Sequence, residues 1–199
     1  MRILVVGASG TIGRAVVAAL EPGHEVVPAS RHSTSVTLDM TDPASIAAMY
    51  EQVGIVDAVV SAAGDARFAP LAQLSDEDFR FSVANKLLGQ VNLVRMAFDH
   101  VRDAGSITVT SGILARVPMV GSAAISLVNA ALEGFVRAAA LEAPRAIRVN
   151  AVSPPWVSET LEKLGMDPAS GLPAATVAQA YLESVTGAQT GAVIEPSRF

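Results

Sequence analysis

The sequence predicts a three-layer α/β fold: a doubly wound parallel sheet with helices on both faces. Three observations predict it. Short apolar runs alternate with helix-like segments along the chain, the order that makes consecutive strands parallel with a helix between them. The runs are continuously apolar, as strands covered on both faces must be. Right-handed crossovers then give a sheet of about seven strands. The 199 residues suffice for a single domain over 1–199, and no repeat, low-complexity tract or linker divides them.

Each element follows from its local chemistry. Ile3–Val6 is a buried strand that stops at Gly7. Thr11–Leu20 carries Ile12, Ala15, Val16 and Ala19 at helical spacing and ends at Glu21-Pro22-Gly23. Glu25–Ala29 is the second strand and Val36–Leu38 a short third. Only Ser30–Ser35 joins them, too little for the usual helical crossover, so this link is expected to lack a helix. Asp42 caps a helix that has Pro43 in its first turn and runs to about Val53. Val56–Ser61 is strand four. Ser75 and Asp78 form a capping-box start for a helix expected to reach Val101. Ser106–Thr110 is strand five, Ser122–Glu142 a long Ala-rich helix, and Ile147–Val152 strand six. After Pro154-Pro155 a loop leads to a helix near Ala175–Ser184 and a last strand at Ala192–Ile194.

Composition excludes several functions. The net charge is −5 and no Lys/Arg run exists, so neither nucleic acid nor an anionic membrane is an expected partner. With no Cys and three scattered His, no metal site is expected. No uninterrupted apolar run approaches about 18 residues, and the N-terminal run is too short for a signal peptide. A cytoplasmic protein is expected.

The first strand leads into Gly7-Ala8-Ser9-Gly10-Thr11-Ile12-Gly13, which opens a helix. Glycine permits a sharp turn and a close approach to phosphate. The free N–H groups and dipole of the helix start favour an anion. This G-x-x-G-x-x-G spacing is a variant of the dinucleotide fingerprint of Rossmann-like folds. The second strand ends in Ala29-Ser30-Arg31. An acid there would bind the ribose hydroxyls of NAD, whereas Arg31 suits a 2′-phosphate. His32 and Ser33 stand beside it. NADP is therefore favoured over NAD. Asp39 is placed to contact the adenine amino group.

The later segments carry a family likeness. VDAVVSAAG (56–64), Asn85 within a long helix, SITVTSG (106–112), AALEGFVRAAALE (130–142), IRVNAVSPPWV (147–157) and TGAVI (190–194) occur in an order that resembles the short-chain dehydrogenase/reductase family across nearly the whole chain. The resemblance implies a single NAD(P)-binding Rossmann domain, commonly a homodimer or homotetramer packed through the two long helices. It implies cofactor contacts at Gly7, Gly10 and Gly13 of the phosphate loop, at Ala62, Ala63 and Gly64 beside the ribose, and from Pro154 to Val157 beneath the nicotinamide. It gives Asn85 a role in holding a proton-relay water and Ser111 a role in binding a substrate carbonyl.

One part of that pattern is absent. The family's catalytic Tyr follows the Ser by thirteen residues and its Lys follows by four more. Counted from Ser111, those positions are Ala124 and Val128, which neither donate a proton nor lower a neighbour's pKa. Tyr50 and Tyr181 belong to other segments. Asn129 and Glu133 are expected at a rim of the same helix. The sequence thus leaves two main readings open. One is an NADP(H)-dependent oxidoreductase acting by an atypical mechanism on a small carbonyl or alcohol. The other is a dinucleotide-binding sensor or scaffold without turnover. Isomerisation or dehydration on the same fold is a weaker third, since no well-placed base is evident.

Overall fold

A computed structural model describes residues 1–32 and 34–196; Ser33, expected from the sequence to stand beside Arg31 at a 2′-phosphate, lies outside them. The described residues form a parallel sheet of seven strands: β1 (Arg2–Val6), β2 (Glu25–Ser30), β3 (Val36–Thr37), β4 (Val56–Ser61), β5 (Val101–Thr110), β6 (Arg148–Val152) and β7 (Val193–Ile194). Their order is β3-β2-β1-β4-β5-β6-β7. The chain winds outward from β1 in both directions, so a crevice opens between β1 and β4 at their carboxyl ends, the switch point of such sheets.

Helices α1 (Thr11–Leu20) and α7 (Ala174–Thr186) cover one face, and α2 (Pro43–Val53), α4 (Gly89–Ala97) and α5 (Ala123–Glu142) the other. Strand residues alternate between the two cores. Leu4 and Val6 join the α2/α4/α5 side, and Ile3 and Val5 the α1/α7 side. This is why the run reads as uniformly apolar.

Among the described residues, the link between β2 and β3 holds no helix, as expected. Serine and threonine hydroxyls shape it instead: Ser30 reaches the carbonyl of His32 and Thr34 Oγ1, and Thr34 donates to the carbonyl of Val36. So short a return leaves room for just two paired residues, Ala29 with Val36 and Ser30 with Thr37.

Three expectations are corrected. The helix begun by the Ser75–Asp78 capping box is not uniform and does not reach Val101. It runs as α3 (Asp76–Ser82), a π turn (Val83–Leu88) and α4, which ends at Ala97. Strand β5 starts earlier than Ser106. Its register against β4 slips between Val56/Val101 and Ala58/Ser106, and Ala104 in the extra stretch has a φ of 59°. The loop after Pro155 holds a short helix, α6 (Ser158–Lys163).

Helix α5 is long and apolar enough to span a bilayer by length and composition, with a mean hydropathy of 1.4 over its most apolar window. Its inner side, Val128, Leu132 and Val136, is buried against the fold, while Leu127, Ala131, Gly134, Ala138 and Leu141 form an exposed stripe at alternating steps of four and three.

Candidate functional site

At the crevice the chain leaves β1 through a turn that tolerates almost no side chain. Gly7 has a φ of +83°, and a Cβ there would stand 2.8 Å from Ala63 Cβ and 2.9 Å from the Ala62 carbonyl. The turn is fastened by Gly7 and Ala8 N–H groups donating to the carbonyl of Ala29 at 2.8 and 3.1 Å, and by Gly10 N–H to the carbonyl of Gly7 at 2.9 Å. Helix α1 follows with no side-chain cap and no acid in its first turn. Its leading N–H groups and positive dipole end are therefore left for an anion.

A cavity of about 370 Å³ lies over this turn. Of the sequence-predicted cofactor residues, Gly7, Ser9, Gly10, Arg31, Ala62, Ala63 and Gly64 line it, and so does Asn85. Asn85 is buried and accepts the N–H of Asp65 through Oδ1 at 3.2 Å. Gly13 stays behind the turn. Thr11 is directed elsewhere and accepts from Lys163 Nζ at 2.7 Å, while Ile12 packs onto the core. Asp39 stands beside the wall, which Leu38 and Met40 form instead. Its carboxylate takes the N–H and hydroxyl of Thr41 at 2.9 and 2.8 Å and faces Arg31 at 3.8 Å. The Thr41 hydrogen bonds first, and Arg31 after them, hold Asp39 below the usual carboxylate range. Val157 is 5% exposed and belongs to the core.

A second, smaller cavity of about 110 Å³ adjoins the end of β5; Lys86, Ser111, Ile125, Asn129, Pro154 and Trp156 are among its lining. Here the sequence register is off by one. Ala124 and Val128 are 1% and 0% exposed and form no part of this wall, whereas Ile125 and Asn129 do. Stepping thirteen residues back from Ile125 gives Gly112, not Ser111. Gly112 and Asn129 are close neighbours: a Cβ on the glycine would meet Asn129 Nδ2 at 2.8 Å. The pair facing the chamber is thus Ile and Asn, and in either register no Tyr–Lys pair is present.

Ser111 Oγ donates to Glu133 Oε1 at 3.2 Å, with the carbonyl of Val152 at 3.4 Å. Asn129 and Glu133 are 1% and 3% exposed, so the rim position expected for them is corrected to a buried one. Glu133 is held by Arg116 at 3.2 Å and by Ser153 at 3.3 Å. Asn129 Oδ1 is buried without a hydrogen-bond partner among the described residues. Neither tyrosine reaches a cavity. Tyr50 donates to the carbonyl of Leu93 at 2.9 Å, Tyr181 pairs with Thr110 Oγ1 at 2.6 Å, and burial raises both phenols well above the ordinary value.

Lys86 was missed by sequence reading. It is 8% exposed, and desolvation pulls its ammonium down to about 8, with the charge of Asp65 opposing. The π turn carries both Asn85 and Lys86 to the crevice, where π turns often serve functional sites. A strict 3.6-residue period does not reveal such a turn.

The comparisons fit this geometry. A family model described as enoyl-(acyl carrier protein) reductase matches residues 11–194. Hydroxynaphthalene reductase arp2 of Aspergillus fumigatus is 30% identical over 162 residues, which are 78% of this chain and 59% of that protein. Oxidoreductase UcpA of Escherichia coli is 33% identical over 132 residues, 62% of this chain and 50% of the relative. The chain thus spans little more than half the length of these curated relatives. Among solved structures, lin1944 of Listeria innocua superposes with a TM-score of 0.93 at 46% identity, covering 98% of both chains. A small-chain dehydrogenase in complex with NADPH superposes with a TM-score of 0.87 at 27% identity, covering 98% of this chain and 95% of the other.

Proposed function

The chain belongs to the short-chain dehydrogenase/reductase family, and from that premise we propose that it is an NADP(H)-dependent oxidoreductase acting on a small carbonyl or alcohol. The observation that carries this reading is the presence of two neighbouring spaces, a cavity over the turn at the uncapped start of α1 and a largely apolar chamber at the end of β5, lined by the adjacent residues Asn85 and Lys86 respectively.

The residues present fit a dinucleotide. Gly7 and Gly10 with the α1 N-terminus would hold the pyrophosphate and Ala62 to Gly64 would pack against the ribose; in the chamber at the end of β5, the unpartnered Asn129 Oδ1 would accept from a hydroxyl. Arg31, exposed at the rim, would pair with a 2′-phosphate, and no acid stands at the end of β2 to repel it. Bound there, the nicotinamide supplies or accepts a hydride equivalent. Pro155 and Trp156 line one side of the chamber with apolar surface. Glu133 fixes the orientation of Ser111 by taking its proton-donating hydroxyl, which leaves the serine oxygen as an acceptor.

The second reading, a cofactor-bound sensor without turnover, is favoured by Ile125 and Asn129 in place of an acid–base pair. A panel of small aldehydes and ketones with NADPH separates the two. Saturable, substrate-dependent NADPH oxidation supports the oxidoreductase, and silence across the panel with NADPH demonstrably bound supports the sensor. A cytoplasmic location and a homo-oligomer joined through the exposed stripe of α5 complete the proposal.

A further inference from the structure

The oxidoreductase reading leaves a chemical gap, because a carbonyl reduced in the small chamber needs a proton and the usual donor pair is missing. Resting on that reading, we propose that Lys86 is the catalytic proton-transfer group of the chamber, giving its proton to the substrate oxygen in reduction and taking it back in oxidation.

Three observations on geometry carry this. Lys86 is brought to the chamber wall by the π turn between α3 and α4, alongside Ser111 and Asn129. It is 8% exposed, yet its ammonium has neither a salt-bridge nor a hydrogen-bond partner among the described residues. The side chain is thus largely withdrawn from bulk water while its ammonium is not committed to a partner within the protein, and desolvating an ammonium without one is costly. Finally, among the described residues Lys86 is the one titratable group that lines the chamber; the rest of the wall is Ser, Asn, Gly, Pro, Trp and aliphatic side chains.

The surrounding charges are few. Asp65, from the loop after β4, acts on Lys86 through its charge and favours the ammonium. From α5, Glu133 lies behind Ser111 and is neutralised by Arg116 and Arg137. The 154–156 segment contributes no titratable group. Desolvation outweighs Asp65 and sets the ammonium near pH 8, poised to release and recapture a proton close to neutrality.

The step balances. In reduction, with the hydride equivalent supplied to the carbonyl carbon by a reduced nicotinamide dinucleotide, the C=O π pair moves to oxygen. The Lys86 N–H bond breaks as the O–H bond forms. The neutral amine then regains a proton from solvent.

The chain has two lysines, Lys86 and Lys163, which makes a direct test simple. Protein labelled with 13C at the lysine Cε positions gives two signals, assigned with Lys163→Arg. The Lys86 signal should titrate near pH 8 and shift on addition of NADPH. The pH profile of kcat/KM on the best carbonyl found should break at the same pH. Lys86→Met and Lys86→Arg should each lose about 10²-fold or more in kcat, while NADPH affinity changes by less than about threefold. Lys86→Arg keeps the charge and so controls for folding.

The outcomes are separable. Wild-type turnover that survives in both variants, or a Lys86 signal titrating at the ordinary lysine value, overturns the proposal and leaves the oxidoreductase reading standing. Bound NADPH without turnover in the wild-type chain overturns the reading, and the proposal with it.

Discussion

Gly13 lies directly against the carbonyl of Gly7: a methyl group on Gly13 would stand 2.0 Å from that oxygen and 2.7 Å from its carbon. The start of α1 is thereby pressed onto the end of β1, and the phosphate turn cannot relax without moving both. Gly10, by contrast, offers its Cβ position at 3.3 Å from the same oxygen.

This relationship predicts a graded pair. Gly13→Ala should destabilise the fold by about 3 kcal/mol, at the upper end of overpacking costs, and should abolish NADPH binding. Gly10→Ala should cost about 1 kcal/mol or less and weaken binding only in part. Urea titrations with and without NADPH check both. Equal effects from the two substitutions would show that the turn is not held as tightly as the packing requires.

Lys86 predicts an unusual pH dependence of stability. Its folded pKa, about 8, is below the unfolded value of 10.5. Between those values the unfolded chain binds more protons, so stability rises with pH across that window. Below pH 8 the full cost of burying the charge is present, about 3 kcal/mol by the size of the shift. Lys86→Met should therefore be more stable than wild type at pH 7, with the difference shrinking toward pH 10. Denaturant midpoints at the two pH values measure it, and a less stable variant at pH 7 would contradict it.

The tyrosines predict a negative result with content. Tyr181 is fully buried and pairs with Thr110 Oγ1, which in turn donates to the carbonyl of Ser61. Tyr181→Phe should cost about 1 kcal/mol of stability and leave kcat for any carbonyl substrate within about twofold of wild type. A loss of the size expected for a general acid, about 10²-fold, would place the proton donor on α7 instead.

Much of this was legible in the sequence, and the remainder was hidden for physical reasons. Continuous apolar runs such as Leu4–Val6 and the Gly7–Gly13 spacing specify strand, turn and helix through local sterics. The helix-free passage from Ser30 to Val36 followed from length alone. Which face of α5 meets the chamber did not. One residue of helix turns a side chain by about 100°, and the chain from Ser111 to Ser122 fixes that angle through tertiary contacts, so Ala124 and Val128 were named where Ile125 and Asn129 stand. Lys86 was hidden because a π turn breaks the period on which reading a helix relies. The early start of β5 at Val101 was hidden by the register slip opposite Asp57.

The most direct measurement of the central claim is calorimetric titration of the wild-type chain and Arg31→Ala with NADPH and with NADH. The account predicts one saturable site that prefers NADPH. It also predicts that Arg31→Ala costs NADPH about 1.5–3 kcal/mol, the range for a hydrogen bond to a charged group, and leaves NADH nearly unchanged. The absence of any saturable binding, or equal affinity for both dinucleotides in both proteins, would contradict it.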